Sequence, residues 1–323
     1  MQALFDRLVW IATGLAFCVV VLGAYVRLSD AGLGCPDWPG CYGHLTVPHS
    51  DVAQQAFPDK PLEKAKAWKE MAHRYLAGTL GLLILAICIT AWRARGRIAC
   101  SPVLPTALLV LVAFQAALGM WTVTLLLKPA VVSLHLLGGM ATFGLLVWFA
   151  ASRLPPAMVA DGGWRSWALF GILVLAAQIA LGGWTSSNYA ALACPDFPTC
   201  QGVWWPQADF YDAYHMLRDL GANAGGSQLS LETLTAIHLT HRLGALVTML
   251  YLAWLGSRLL RVPALATWSR LLLALLAVQI ALGISNVVFS LPLPVAAAHN
   301  AGAALLLAVL VVINSKLNRG TRP

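Results

Sequence analysis

Charge is what this sequence has least of. Only 11% of its 323 residues are Asp, Glu, Lys or Arg, against roughly a quarter in soluble chains. With 59% hydrophobic residues and a mean hydropathy of +0.73, a soluble globule is excluded. Acidic residues are scarcer still, 13 against 21 Lys and Arg. The resulting net charge of +8 nevertheless points away from nucleic acid, because the basic residues form small clusters between long apolar stretches. That pattern reads as membrane topology and contact with anionic lipid. No ATP-binding loop is present, and no close-spaced set of His, Cys and Asp has the spacing that zinc prefers. The first apolar run lacks a small-residue site of the Ala-x-Ala kind, so it is read as a retained helix and not a removable signal.

What the sequence does contain is eight apolar stretches, approximately 8–26, 68–92, 102–127, 129–151, 164–186, 234–255, 268–289 and 294–313. About twenty helical residues span the bilayer core, and barrel strands would be shorter and would alternate. The expectation is an all-α polytopic membrane protein with eight transmembrane helices. Arg7, Arg93, Arg95, Arg97, Arg153, Arg165, Arg258, Arg261, Arg270, Lys316, Arg319 and Arg322 fall on one side, with only Asp6 and Asp161 opposing them. By the positive-inside rule that side is the cytoplasm. Both termini are then cytoplasmic, and the long loops 28–67 and 187–233 lie outside.

The chain repeats itself. Cys35-Pro36-Asp37-Trp38-Pro39-Gly40-Cys41 returns as Cys194-Pro195-Asp196-Phe197-Pro198-Thr199-Cys200 at an offset of 159, and His73-Arg74 returns as His241-Arg242 at 168. Gln115 with Leu118-Gly119 returns as Gln279 with Leu282-Gly283, and His135 as His299, both at 164. The reading is two tandem four-helix halves, 1–156 and 157–323, joined near Pro155 and Pro156. An even number of spans in each half sends both into the membrane in the same direction, related by a pseudo-twofold axis along its normal.

His73, His135, His241 and His299 all lie within about two turns of the outer helix ends, roughly 5 to 10 Å in. Two imidazoles at one depth in a four-helix bundle suit the two axial positions of a haem iron, so two haem sites are expected, with Gly78, Gly81, Gly138, Gly139, Gly244 and Gly302 making room for a flat ring. A lone intramembrane His is more often a packing or proton-path residue; the duplicated pairs argue otherwise. Arg27, Arg74 and Arg242 are candidate propionate contacts, with snorkelling as the plainer reading. Gln115, Gln178 and Gln279 are expected to make interhelical hydrogen bonds.

The halves differ at one position. Glu70 stands three residues before His73 on the same helix face, whereas His238 stands before His241. Glu70 puts a proton acceptor at the edge of the first pocket; a first-turn carboxylate answering the helix dipole is the competing reading. His238 suits the neighbourhood of a permanent cofactor. Cys35/Cys41 and Cys194/Cys200 pair as two short disulfides in the outer loops, either bracing or redox-active. Cys18, Cys88 and Cys100 read as packing residues or free thiols. Trp38, Phe197, Trp204 and Trp205 are expected to cover the bundle ends or to anchor at the interface.

These residues, in order and in duplicate, resemble the bacterial eight-helix haem A synthases, which are related to the mitochondrial enzymes. The likeness covers nearly the whole chain. It rests on Gly23-Ala24-Tyr25-Val26-Arg27-Leu28 running into Gly32-Leu33 and the Cys35 to Cys41 loop, on Glu70-x-x-His73-Arg74, on His135, on His238-x-x-His241-Arg242 and on His299. The resemblance implies oxidation of the C8 methyl of haem O to a formyl group through successive hydroxylations, giving haem A for terminal cytochrome oxidases. It implies a resident haem b on His241 and His299, haem O as substrate on His73 and His135, and Glu70 as the family's glutamate. It also implies a bacterial inner membrane and, as partners, haem O synthase and cytochrome oxidase assembly factors, with self-association left open. The loop cysteines are not universal in that family.

Two rivals stand beside it. A b-type membrane cytochrome carrying electrons between permanent haems would predict equivalent halves, which Glu70 and His238 contradict. A haem exporter would need interrupted helix pairs or an ATP site, and neither is found in the sequence.

Overall fold

The structure, a computed structural model, describes residues 1–154, 163–223 and 226–319. Pro155 and Pro156, where the repeat places its join, lie outside the described residues, as do Asp161 and Arg322. Helices dominate: α1 Gln2–Leu28, the short α2 Ser50–Ala56, α3 Lys64–Arg93, α4 Val103–Thr124, α5 Pro129–Ala151, α6 Trp164–Ser187, the one-turn α7 Phe210–Ala213, α8 Leu231–Leu259, α9 Ala266–Val288 and α10 Leu293–Arg319. Isolated bridges, and no strands, occur among the described residues.

Seven of these helices are long and apolar enough to cross a membrane, namely α1, α3, α4, α5, α6, α9 and α10. The chain is a multi-pass membrane protein. α8 has the length, 29 residues, but carries Glu232, His238, His241, Arg242 and four threonines in its outer half and centre, so hydropathy alone does not select it. Its start is set by Ser230, whose hydroxyl accepts from the Thr233 N–H at 3.2 Å, with Glu232 in the first turn; both answer the unpaired N–H groups of a helix N-terminus. Arg27, Arg93 and Arg258 occupy last turns, where a cation meets the negative end of the helix dipole.

The chain divides into two compact units, Met1–Leu146 and Val147–Pro323. In the first, α3 packs on α1 and α4. α5 closes the ring, with Phe143 beside Phe17 of α1 and Gly138 under the Gln115 side chain of α4. In the second, α8 packs on α6 and α9, and α10 on α9 and α6. Each unit is thus a ring of four long helices.

Local backbone repeats with the sequence. Leu126 and Leu127 end α4 in left-handed conformation, and Ser290 and Leu291 end α9 in the same way; the N–H of Leu127 bonds Thr122 O at 2.8 Å and that of Leu291 bonds Asn286 O at 2.7 Å. Left-handed Asp30 and Tyr42 match Tyr189 and Gln201, and cis Trp38-Pro39 matches cis Phe197-Pro198.

Packing is not uniform along the helices. No side chain is buried between Ala16 and Val26 of α1, between Met71 and Leu80 of α3, between Leu239 and Thr248 of α8, or between Leu276 and Val287 of α9. Toward the cytoplasmic end predicted from the charges, close packing resumes, with Phe5, Ile84 and Ile87 in the first unit and Leu252, Leu255 and Leu310 in the second all but inaccessible. On these four helices packing is close at one level and looser at another, while α4 and α6 keep Gln115, Leu118, Ile179 and Trp184 buried at the looser level.

Candidate functional site

The four histidines occupy the looser level. His73 on α3 and His135 on α5 lie within electrostatic reach of each other, as do His241 on α8 and His299 on α10. Each imidazole rests on a glycine of the preceding long helix. A methyl group added to Gly23 would lie 2.9 Å from His73 Cε1, and one on Gly119 3.5 Å from His135 Cε1. On Gly182 and Gly283 it would lie 3.1 Å from the Cε1 atoms of His241 and His299. At Gly23, Gly182 and Gly283 an added side chain would press on the ring, whereas at Gly119 a methyl would only touch it. These four glycines carry the site, and the sequence reading passed over their role.

The glycines singled out from the sequence behave differently. Gly138, Gly244 and Gly302 face the side chains of Gln115, Gln178 and Gln279, while Gly78 and Gly81 face open space. Gln178 Nε2 donates to the His241 carbonyl at 3.1 Å and lies 3.1 Å from its Nδ1; Gln279 Nε2 donates to the His299 carbonyl at 2.9 Å. Gln115, 8% exposed, bonds nothing through either amide atom. The expected interhelical hydrogen bond is absent there: Gln115 turns its amide nitrogen to Gly138, where Gln178 and Gln279 turn their amide oxygen to Gly244 and Gly302.

Above the first histidine pair, the disulfide loop is latched to α3. Cys35 and Cys41 are bonded and wholly buried with Tyr42, Ala53, Ala67 and Met71. Buried Glu70 accepts the Cys35 N–H at 2.9 Å through Oε2 and pairs with Arg74 through Oε1. Arg74 also donates to the carbonyls of Asp37, at 2.9 Å, Pro39 and Gly40. Inside the loop Asp37 accepts the N–H groups of Tyr42 and Gly43 at 2.6 and 2.7 Å.

The second loop repeats the construction with one substitution. Cys194–Cys200 is formed. Arg242 donates to Thr199 O and Asp196 O at 2.8 Å and to Cys194 O at 3.0 Å. His238 stands where Glu70 does, its Nδ1 3.3 Å from the Cys194 N–H and its Nε2 3.3 Å from Arg242 Nε. A neutral imidazole has one accepting nitrogen, so His238 satisfies one donor where the carboxylate of Glu70 satisfies both. Hydrogen bonds from the Thr199 hydroxyl and from the Gly202 and Gln201 N–H groups hold the Asp196 carboxyl below its ordinary range.

Arg74 and Arg242, read from the sequence as propionate contacts, therefore have loop carbonyls as partners. Trp38, Phe197, Trp204 and Trp205 are exposed, and the Phe197 ring lies beside Arg242. Cys88 is buried, Cys18 exposed and Cys100 between the two. Nothing in the sequence pattern singles out Arg218, 3% exposed, which donates to Asn188 Oδ1 at 2.7 Å and Asp212 O at 2.5 Å and stacks over Trp184.

The histidine donor set fits an iron porphyrin. His73, His135 and His299 keep a buried Nδ1 with no protein partner, a costly arrangement for a polar group unless a ligand belongs beside it. Paired imidazoles on facing helices are the donor set of a six-coordinate haem.

Comparison with known proteins agrees with this chemistry. The family described as cytochrome oxidase assembly protein matches residues 6–311. The haem A synthase of Shewanella oneidensis is 47% identical over 307 residues, 92% of this chain and 91% of that protein. Those of Caulobacter vibrioides and Nitrosospira multiformis are each 28% identical, covering 96% of this chain and 95% and 92% of their own. None of these relatives supports a b-type electron carrier. The chain belongs to the cytochrome oxidase assembly protein family, among the haem A synthases.

Proposed function

We propose that this protein is a haem A synthase that oxidises the C8 methyl of haem O to a formyl group, with the N-terminal half, 1–156, as substrate site and the C-terminal half, 157–323, as cofactor site. One observation carries the assignment of halves: two imidazole pairs sit beneath matching latched loops, and only the first latch contains a carboxylate. His73 and His135 hold haem O. His241 and His299 hold haem b, which when bound supplies one-electron redox capacity. Glu70, at the edge of the first pocket, accepts a proton released as the methyl carbon is oxidised; to do so it gives up Arg74 or the Cys35 N–H. Arg74 and Arg242 brace the loops, which leaves Arg27 as the first candidate for a propionate.

α8 is the eighth membrane span, its polar residues facing the pocket and not lipid. The repeat supports a pseudo-twofold relation between the halves, and the distribution of Lys and Arg supports cytoplasmic termini and periplasmic loops in a bacterial inner membrane. Haem O synthase upstream and cytochrome oxidase assembly factors downstream are the partners this reaction needs.

The test is coexpression with a source of haem O, followed by mass analysis of extracted pigments. Wild type should yield haem A alongside haem B. His73→Ala should abolish haem A and retain haem B, and His241→Ala should lose haem B. Haem B as the sole pigment in every case would overturn the proposal.

A further inference from the structure

Two cations stand above the first histidine pair at positions where the second unit has none. Gly23 lies against the His73 ring, and Gly34, further along the chain, against the Lys66 backbone. α1 and α3 therefore run in opposite directions. The residue one turn outward of Gly23 is Arg27, and the residue one turn outward of His73 is Lys69. Each shares a helix face with the residue it follows or precedes by four, so Arg27 and Lys69 stand at one level. The Lys69 side chain reaches across to α1, where its Nζ lies 5.2 Å from the centre of the Tyr25 ring. Lys69 is half-buried, and among the described residues no carboxylate forms an ion pair with it, whereas Lys66 pairs with Asp30 and Glu63 and Arg74 with Glu70.

In the second unit the same positions are apolar or neutral. The offset of the disulfide loops, 159, puts Ser186 at the place of Arg27, and the offset of the His-Arg pairs, 168, puts Ile237 at that of Lys69. Ile237 is 1% exposed. Arg74 and Arg242, common to both units, donate to loop carbonyls.

The chemistry of the substrate gives this pair a use. Haem O carries two carboxylates, its propionates, along one edge, and its C8 methyl shares a pyrrole ring with one of them. Lys69 and Glu70 are adjacent in the chain and lie four and three residues before His73, on its helix face. A propionate held by Lys69 brings the methyl of the same pyrrole ring toward Glu70. Two axial imidazoles leave the porphyrin free to turn about the axis through the iron, so a second contact must choose which methyl stands there. We propose that Lys69, with Arg27 facing it, receives the propionates of haem O and so fixes the edge of the porphyrin that meets Glu70. The inference deepens the assignment of the substrate to the first half and rests on it. A haem that only carries electrons reacts at no particular methyl, which fits Ser186 and Ile237 in the second unit.

The experiment titrates the purified full-length protein with haem O and with its dimethyl ester, in which both carboxylates are masked, and follows the absorbance of the low-spin complex. Wild type should bind the free acid about tenfold more tightly than the ester, the size of one charge-assisted hydrogen bond, and added salt should narrow that gap. Lys69→Gln should weaken binding of the acid by about tenfold and leave that of the ester unchanged, and Lys69→Arg should restore the acid. Lys60→Gln, at an exposed loop position, should alter neither. At saturating haem O, Lys69→Gln should also form less haem A per bound porphyrin. Equal affinity of the wild type for acid and ester, a result that needs no variant to fold, or an equal loss of both in Lys69→Gln, would overturn the pairing while the haem sites stood. A wild type that binds neither porphyrin, or that binds both as well after loss of His73 and His135 together, would overturn the substrate assignment too.

Discussion

Glu70 accepts the main-chain N–H of Cys35 at 2.9 Å across 35 residues of sequence, tying the wall of the first pocket to the loop that covers it. The same carboxylate pairs with Arg74, both side chains nearly inaccessible. Removing one partner of a buried pair leaves the other charge uncompensated, at about 3 kcal/mol. Glu70→Ala should therefore lower the thermal midpoint of the purified protein as well as abolish haem A formation. Glu70→Gln retains an acceptor for Cys35 but also leaves Arg74 without its counter-charge, so it should recover only the hydrogen-bond share of the loss, about 1 kcal/mol, while still abolishing product. Full product from Glu70→Gln, assayed by pigment mass analysis, would show that the carboxylate braces the loop and takes no proton.

The two disulfides offer a matched comparison. Both close rings between cysteines six residues apart, for which chain entropy alone gives about 2 kcal/mol. Replacing Cys35 and Cys41 by Ala, or Cys194 and Cys200 by Ala, should lower thermal stability by similar amounts. Haem A yield should separate the pairs. Loss of the first frees the loop that positions Glu70 and should reduce product strongly; loss of the second should reduce it only as far as haem b is lost. Equal yields from the two variants would contradict a loop role specific to Glu70.

The long helices were legible because crossing a membrane requires an apolar length that few other demands impose. α8 was legible as the apolar stretch 234–255 and again from the repeat, although His238, His241 and Arg242 dilute its hydropathy. Which helix face meets which neighbour was not legible. Helices apolar all round give no periodic signal of rotation, so Gly138 and Gly302 could be noticed as small but not seen to face glutamines, and Gly23 and Gly283 could not be assigned to imidazoles. The Glu70 and His238 difference was visible, whereas its partners, main-chain N–H groups of distant loops, carry no side-chain signature. Arg218 looked like any loop arginine.

The glycines beneath the histidines predict a graded series. In Gly23→Ala the new methyl would stand 2.9 Å from the His73 ring, closer than packing allows; in Gly119→Ala it would stand 3.5 Å from His135, an ordinary contact. Overpacking of the first kind typically costs about 1 to 3 kcal/mol. Gly23→Ala should impair haem O conversion severely and Gly119→Ala hardly at all, with Gly182→Ala and Gly283→Ala, at 3.1 Å, between them in haem b retention. Pigment content per protein measures all four. Equal tolerance across the series would mean that the rings do not depend on these contacts.

Acid should loosen the second loop. Thr199, Gly202 and Gln201 hold the Asp196 carboxyl below its ordinary value of 3.8. A depressed carboxyl contributes stability that is complete above its unfolded value and disappears as pH falls through the folded one. Reduction of Cys194–Cys200 by a water-soluble phosphine, followed from about pH 6 to about pH 3, should be slower in wild type than in Asp196→Asn at the upper end and approach it at the acid end. A ratio of the two rates that ignores pH would remove Asp196 as the cause.

Arg218 secures the rest of that loop. Its guanidinium donates twice to Asn188 Oδ1, at 2.7 and 3.2 Å, and to Asp212 O at 2.5 Å, with the Trp184 ring 5.3 Å away. Trp184 in turn donates to Ala213 O at 2.9 Å, so one buried cation joins the end of α6 to the segment around α7. Charged hydrogen bonds of this kind contribute about 1.5 to 3 kcal/mol each, and the planar fork cannot be imitated by an ammonium group. Arg218→Lys should therefore be nearly as damaging as Arg218→Leu, both exposing residues 187–233 to protease added from the outer face. Haem should remain bound, since His241 on α8 and His299 on α10 are not among the partners of Arg218. Protection by Lys equal to that of Arg would show that charge alone, without the fork, holds the loop.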